Sequence, residues 1–350
     1  MSSTLAASVE IMVDDLLSEL GFTPTKYVKG RATIADLFKP DERCGVYVLH
    51  FLNGEFYTGQ AVDVTRRYAQ HCSTHTDIEK LSFKPTSPHY LDDIERKTIW
   101  QLEKKGLPLR NIVFTSFPKG ESDFDFIMPA AEQTRWLSEH DLVYCEGERL
   151  IDPDLRRKYR ARYEKFSKTR YANEIVDVLR TYIKVGVPVA RQSEVSFWAL
   201  SCQQNIGEVF SRTSTGNNAT STGWQAVKVY SRVNVNWQEV LTAFAYEGQL
   251  WFSLHIARSP LEKSFGVDLS QLLKKYPEVD NTNHKYIPGG QDQTSFDVPA
   301  TIAKSFITDT SVIPAIRLLN LRLMKKGVCA YGRFHCMDLA DKVLESTSGG

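Results

Sequence analysis

The stretch GVYVLHFLNGEFYTGQAVDVTRRYAQHC, residues 45–72, decides the fold of the first part of the chain. Two short runs rich in Val, Tyr and Phe, 46–51 and 56–58, flank an Asn53-Gly54 pair. Such a pair between two strand-like runs is a strong signal for a hairpin reversal. The stretch therefore predicts a β-hairpin, followed by a helix.

The helix is expected to begin after Asp63, which stands where an N-cap residue belongs. Arg67 and His71 follow on that helix and are four residues apart, so their side chains share one face. With Tyr47 and Tyr57, one on each strand, they form an unusual polar cluster for so short a segment.

This pattern resembles the GIY-YIG nuclease domain. The triplet GVY at 45–47 stands for the first motif and YTG at 57–59 for the second, each with one substitution. In that family an arginine follows the second tyrosine by ten positions and a histidine often comes after it; here these are Arg67 and His71. The resemblance covers roughly residues 44–145 and implies a nuclease fold for that part of the chain.

The family also places one metal-binding glutamate on a later helix, which implies Mg²⁺ or Mn²⁺ as cofactor. Glu132, in AAEQTRWLSEHDL, is preferred because its amphipathic helix follows a further predicted strand at 110–117. Glu95, on a predicted helix at 90–105, is the rival and is interpreted as a solvated charge beside two basic residues. The family commonly has an asparagine beyond the metal-binding helix, and the sequence offers no convincing match for it.

The resemblance implies a role for each of these side chains. Tyr47 would deprotonate the attacking water, and Arg67 would bind nonbridging phosphate oxygens with a guanidinium that stays charged. Glu132 would hold the divalent ion. Tyr57 and His71 would orient the phosphate or assist proton transfer.

The hairpin register decides whether the two tyrosines can act together, because side chains alternate between the faces of a strand. A two-residue turn would put Tyr57 and Tyr47 on opposite faces. A three-residue loop at 52–54 instead pairs Leu49 with Tyr57 and Tyr47 with Gly59, so that both tyrosines point the same way. We therefore predict the three-residue loop.

The composition is that of an ordinary globular protein, with 350 residues, 42% hydrophobic and 24% charged. The net charge of +1 says nothing about partners. The six cysteines include no CxxC pair, which argues against a zinc site or a disulfide framework and favours a reducing compartment. No apolar run is long enough to span a membrane, so a cytoplasmic protein without membrane contact is expected.

Residues 153–171 form a positively charged stretch interleaved with tyrosines. Beside a nuclease-like domain, a basic helix of this kind predicts contact with backbone phosphates, with the tyrosines along sugars or bases. The predicted nucleic-acid contacts are Arg156, Arg157, Lys158, Arg160 and Arg162.

The predicted fold class is α+β, with a sheet flanked by helices, a basic linker helix and a mixed α/β C-terminal domain. The expected domains are an N-terminal amphipathic helix and connector (1–43), a nuclease-like domain (44–150), a basic linker (151–190) and a domain that selects the target DNA (191–350). His335-Cys336 is interpreted as a packed structural pair, since no second Cys/His pair stands at ligand spacing.

The sequence therefore predicts a metal-dependent endonuclease acting on DNA, with double-stranded DNA favoured and a role in restriction or phage defence among the options. Two alternatives stay open: an RNA-cleaving or toxin nuclease of the same fold, and an inactive nucleic-acid-binding module. The oligomeric state is open too, a homodimer included.

Overall fold

The computed structural model describes residues 3–111, 114–118, 122–139, 147–215 and 219–345. Within these ranges, the side chains of 3–8, 204–206, 210–215, 219–222 and 225 are not described. The chain is a mixed α+β protein, as predicted. It divides into two compact units, Met1–Gly120 (unit 1) and Glu121–Gly350 (unit 2).

Unit 1 is built on a four-stranded antiparallel sheet in the order β1-β4-β2-β3. Its elements are α1 (Ser3–Glu19), β1 (Lys26–Tyr27), β2 (Gly45–Phe51), β3 (Phe56–Ala61), α2 (Val64–Thr74), β4 (Ile78–Pro85) and α3 (Leu91–Lys104). The predicted hairpin and the helix after it are β2, β3 and α2. Asp63 caps α2, since its carboxylate accepts hydrogen bonds from the backbone N–H groups of Thr65 and Arg66.

The hairpin between β2 and β3 has the predicted three-residue loop. Leu49 pairs with Tyr57, and Tyr47 pairs with Gly59. The N–H of Phe51 donates to the carbonyl of Glu55 at 3.0 Å, which closes the loop. Gly54 lies in the left-handed region with a φ of 80°, where glycine carries no Cβ penalty. The register prediction is therefore confirmed.

Apolar side chains cover both faces of this sheet. Val46 and Val48 face α1 and α3, whereas Tyr47 and Leu49 face α2, as the alternation along a strand requires. Three residues of α1, Val13, Leu16 and Leu17, are buried in the first of these clusters. The segment 1–43 is therefore part of unit 1 and not a separate domain, because its apolar stripe completes the core on this face.

Unit 2 contains a six-stranded antiparallel sheet in the order β5-β6-β7-β8-β10-β9. Its strands are β5 (Trp198–Thr215), β6 (Ala219–Val235), β7 (Gln238–Tyr246), β8 (Gln249–Ile256), β9 (Asp280–Asn281) and β10 (Thr294–Pro299). Its helices are α4 (Ala130–Ser138), α5 (Pro153–Ser167), α6 (Ala172–Gly186), α7 (Ala190–Ser193), α8 (Ser259–Phe265), α9 (Ser270–Lys275), α10 (Ala300–Ile307), α11 (Ile313–Lys325) and α12 (Met337–Leu344).

Two expected boundaries are wrong because helices on either side of residue 150 belong to the unit 2 core. Trp136 of α4, Phe166 of α5 and Leu179 of α6 are buried in one cluster with the sheet. Unit 1 therefore ends near residue 120 and not at 150, and the stretch 151–190 is packed structure, not a linker.

The strand predicted at 110–117 is absent from its described residues, which are irregular; residues 112 and 113 lie outside the described part. The polar stretch 211–223 is strand wherever the structure describes it, in β5 up to Thr215 and in β6 from Ala219; residues 216–218 lie outside the described part. Among the helices that the structure describes, none combines the length and the apolar character needed to cross a membrane.

Candidate functional site

Tyr47 and His71 form the centre of the polar cluster in unit 1. The Tyr47 hydroxyl lies 2.7 Å from Nε2 of His71. The Tyr57 ring packs on the same imidazole, with ring centroids 4.9 Å apart, and the two tyrosine rings are 6.4 Å apart. The hairpin register and the α2 helix therefore bring Tyr47, Tyr57 and His71 together.

The glycine of the second triplet is required by this packing. A Cβ on Gly59 would overlap the phenol end of Tyr47. Gly59 is the cross-strand partner of Tyr47, so its missing side chain leaves the space into which the Tyr47 ring extends. Gly45 is similarly constrained, because a Cβ there would overlap the Lys84 carbonyl.

Protonation in this cluster is set by burial. Burial, aided by Tyr57 and opposed by Arg67, raises the pKa of Tyr47 above its usual range, so the phenol keeps its proton. Burial, aided by Arg67 and His75, lowers the pKa of His71 to about 4, so the imidazole is neutral near pH 7. A protonated phenol beside a neutral imidazole lets Tyr47 donate its hydrogen bond to His71 Nε2.

Arg67 is the cation of the cluster and is exposed to solvent. Its Nη1 donates to Oε1 of Gln70 at 2.9 Å, one turn further along α2. The interaction with Tyr47, and more weakly with Tyr57, raises the pKa of Arg67, so its charge is permanent. The guanidinium is therefore accessible to an incoming anion and adjoins both phenols.

Glu95 supplies the carboxylate of the cluster. It lies on α3 with 8% of its surface exposed, and its Oε2 accepts a hydrogen bond from Gln60 Nε2 at 3.0 Å. Burial raises the pKa of Glu95 to about 7, and the carboxylate in turn contributes to the raised pKa of Tyr57. Among the described residues, no cation forms an ion pair with it.

Glu132, the predicted metal ligand, belongs to unit 2, whereas the residues of the cluster described above belong to unit 1. It lies on α4 in unit 2 and is exposed, because the buried face of that helix is formed by Gln133 and Trp136. The assignment of this helix to the first domain is wrong, because α4 packs into the core of unit 2. Within unit 1, Glu95 is the candidate metal ligand.

Asn111 is a positioning residue that sequence reasoning missed. Its Oδ1 accepts from the N–H of Thr58 at 2.8 Å, and its Nδ2 donates to the carbonyl of Thr58 at 2.7 Å. The buried amide thus satisfies the free edge of β3 beside Tyr57. It follows α3, the helix of Glu95, in the chain.

The donor set fits a magnesium ion. Within the described ranges, no three His, Cys, Asp or Glu side chains are grouped as a metal cage requires. Mg²⁺ commonly needs only one or two carboxylates, with water and substrate phosphate as its other ligands. Glu95 matches that pattern, because it is a hard oxygen donor that is buried and forms no ion pair among the described residues.

The pKa of Glu95 predicts an unusual effect on stability. Its value is about 7 in the folded protein against 4.5 in the unfolded chain, so wild-type stability falls as pH rises from about 4.5 to 7. Below that window the carboxyl is protonated in both states. Glu95→Gln should therefore stabilise the metal-free protein by up to roughly 3 kcal/mol at pH 8 and by almost nothing at pH 4.

Urea unfolding of both proteins at pH 4 and pH 8, in EDTA, checks this prediction. Glu132→Gln is the matched control, because it makes the same substitution at an exposed position, where replacements usually change stability little. An equal difference in unfolding free energy at the two pH values would contradict the raised pKa.

The predicted basic surface of α5 is only partly available to a ligand. Arg156 is committed to unit 2 itself, because its Nη1 lies 2.7 Å from Asp338 and 2.6 Å from Asp341 of α12. Tyr159 is buried, and its hydroxyl donates to the carbonyl of Arg333. Arg156 is therefore engaged by acidic residues of unit 2 and Tyr159 is buried, so the other cations of α5 are the more accessible candidates for contact with phosphates.

His335 and Cys336 are fully buried, which agrees with a packed structural pair. His335 Nδ1 accepts from the N–H of Leu200 at 3.0 Å, so Nε2 carries the proton and donates to Glu194 at 2.8 Å. The Cys336 thiol contacts that of Cys202.

Comparison of the chain with protein-family models, with curated proteins and with solved structures found no match.

Proposed function

We propose that the protein is a metal-dependent endonuclease that hydrolyses phosphodiester bonds in DNA, with its catalytic residues in unit 1. The observation that carries the proposal is the Tyr47–His71 hydrogen bond, which lies beside Arg67 and near a buried carboxylate, Glu95. Glu95 forms no ion pair among the described residues. A proton acceptor, a phosphate-binding cation and a metal ligand are what this hydrolysis requires.

Tyr47 and His71 would take the proton of the attacking water. The water proton passes to the Tyr47 oxygen while the Tyr47 proton passes to His71 Nε2, so the phenol is never left as a free phenolate. This relay suits a phenol whose pKa is raised, because the imidazole and not the phenol is the final acceptor. The negative charge of a bound phosphodiester would offset Arg67 and make His71 a stronger base.

Arg67 would bind the nonbridging oxygens of the scissile phosphate, where charge grows in the transition state. Glu95 would hold the divalent ion, which supplies Lewis-acid stabilisation of the phosphate and leaving group when bound. Tyr57 would orient the phosphate. Asn111 would act indirectly, because its hydrogen bonds to the backbone of Thr58 fix the strand that carries Tyr57.

A cleavage assay on plasmid, single-stranded DNA and RNA, with Mg²⁺ and with EDTA, tests the proposal. We expect cleavage of the plasmid in Mg²⁺ and none in EDTA. Cleavage of RNA alone would support the alternative of an RNA-cleaving or toxin nuclease. No cleavage of any substrate would favour an inactive nucleic-acid-binding module.

The exposed cations of α5 are the remaining candidates for backbone phosphate binding. The side chains of Arg157 and Arg160 are 80% and 70% exposed, with only surface partners on the same helix, and Lys158 lies between them. Replacing all three by Ala should weaken binding to every sequence. The slope of log affinity against log salt concentration should become less steep by about 0.9 for each phosphate that these side chains neutralise in the wild type.

Fluorescence anisotropy with a duplex at several salt concentrations measures this slope. A triple Ala variant of Lys263, Lys274 and Lys304 is the matched control, because these exposed lysines of unit 2 lie on other helices. If the slope of the α5 variant equals that of the wild type, these cations do not contact phosphates and only form a solvated helix face.

A further inference from the structure

A cavity of about 560 Å³ lies in unit 2. The residues that line it do not include those of the proposed nuclease site. Its wall includes neighbouring residues of β5 and β6, since Ser201 pairs with Arg232 and Ala199 pairs with Asn234. Its volume falls within the range of about 300–1,000 Å³ that is typical of small-molecule sites.

The charges that line the cavity favour an anion. Arg162 and Lys165 of α5 are three residues apart, so they project from one face of the helix, and both line the cavity. Within the described part of the chain, neither forms an ion pair. Arg232 is the third cation, and its Nη1 lies 3.2 Å from Oε1 of Glu239, the one acidic side chain of the lining among the residues that the structure describes.

The positions of two of these cations are held by other groups. The guanidinium of Arg162 lies 5.3 Å from the centroid of the Tyr159 ring, a residue fixed by burial. Arg232 is held at Glu239, with 18% of its side chain exposed. Arg232 is therefore preorganised for a phosphate, whereas Arg162 is exposed and its guanidinium is accessible to one.

Aromatic and amide groups complete the lining. Tyr331 and Phe334 contribute rings whose centroids are 6.5 Å apart, and Phe334 is 38% exposed. The side-chain amides of Gln203 and Asn234 also line the cavity. Aromatic rings stack on planar heterocycles, and amides pair with the donors and acceptors at the edges of nucleobases.

We propose that this cavity binds a nucleoside phosphate, with the phosphate at Arg162, Lys165 and Arg232 and the base at the aromatic and amide side. The ligand is either a free mononucleotide or one nucleotide of a nucleic-acid strand, since both present the same group. This inference goes beyond the nuclease activity and does not depend on cleavage.

Isothermal titration calorimetry of the full chain in EDTA tests the proposal. The probes are the four deoxynucleoside 5′-monophosphates, their nucleosides and inorganic phosphate. We expect at least one monophosphate to bind with a stoichiometry of one, and at least about tenfold more tightly than its nucleoside or phosphate alone. No saturable binding up to millimolar concentrations, or equal binding of inorganic phosphate, would overturn the proposal.

Variants localise the site. Arg162→Ala with Lys165→Ala should weaken binding of the monophosphate by about tenfold or more. Lys274→Ala with Lys304→Ala removes the same charge from exposed positions outside the lining and should bind like the wild type. Phe334→Ala should weaken binding of the nucleotide and its nucleoside alike. Undiminished binding in the Arg162/Lys165 variant would overturn the assignment of the cavity.

A short single strand with a 5′-phosphate separates the two sources of the ligand. If the strand displaces the mononucleotide, the ligand of the cavity is a nucleotide of a nucleic acid. If the strand does not displace it, the ligand is a free nucleotide. Because all titrations are carried out in EDTA, a failure of this inference is distinct from a failure of Mg²⁺-dependent cleavage at unit 1.

Discussion

Glu95→Gln is expected to reduce cleavage by about 10²-fold or more, whereas Glu132→Gln is expected to cleave at the wild-type rate. Glutamine keeps the size of the side chain and an oxygen that can accept from Gln60, but it lacks the charge that holds a divalent ion. Glu132 is exposed on a helix of unit 2 and serves as the matched control.

Metal binding gives a second readout that does not depend on activity. Mg²⁺ should raise the melting temperature of the wild type and of Glu132→Gln, because an ion that binds only the folded state stabilises it. The melting temperature of Glu95→Gln should not respond. Wild-type cleavage by Glu95→Gln, or loss of cleavage in Glu132→Gln alone, would contradict the assignment.

Tyr47→Phe is expected to reduce the cleavage rate by about 10²- to 10⁴-fold, the usual contribution of general acid-base catalysis. The change removes one oxygen atom. The ring stays in its apolar surroundings, where only 1% of the residue is exposed, so the fold should be retained. The hydroxyl that this change removes is the one that contacts His71.

Tyr68→Phe is the matched control for this change. Tyr68 is also a buried tyrosine of unit 1, but its hydroxyl donates to the carbonyls of Val28 and Arg31. Its removal should cost about 1 kcal/mol of stability and leave the cleavage rate within a few-fold of the wild type. Equal rates for the two variants would show that the Tyr47 hydroxyl has no part in the proton transfer.

Local rules predicted the nuclease-like hairpin well. Side-chain alternation gave the register once Tyr47 and Tyr57 were required on one face, as the resemblance implies, and Gly54 suits the left-handed position of the three-residue loop. Both depend on residues close together in the chain. The N-cap at Asp63 was predictable for the same reason.

The preference for Glu95 over Glu132 comes from the structure, although a signal for it was present in the sequence. Leu91, Glu95 and Leu102 fall on one buried stripe of α3, so the helical spacing already placed the carboxylate among apolar residues. The basic neighbours of Glu95 in sequence lie on other faces of the helix and were misleading.

Other features had no local signal. Asn111 clamps a strand residue 53 positions away, and Arg156 pairs with acidic residues 182 and 185 positions away. Only the packing of distant elements creates these contacts, so neither the pattern around Asn111 nor the charge run around Arg156 indicates them. The structure also shows Trp224 and Trp237 exposed, although tryptophans are more often part of a core.

The most direct test of the proposed nuclease site is a side-by-side plasmid cleavage assay of the wild type and Arg67→Ala in Mg²⁺. Arg67 is exposed, so its removal should leave the fold intact while it withdraws the cation that stabilises the phosphate in the transition state. We expect cleavage by the wild type and a rate lower by about 10²-fold or more for Arg67→Ala. Equal cleavage by the two proteins would contradict the proposed role of this site.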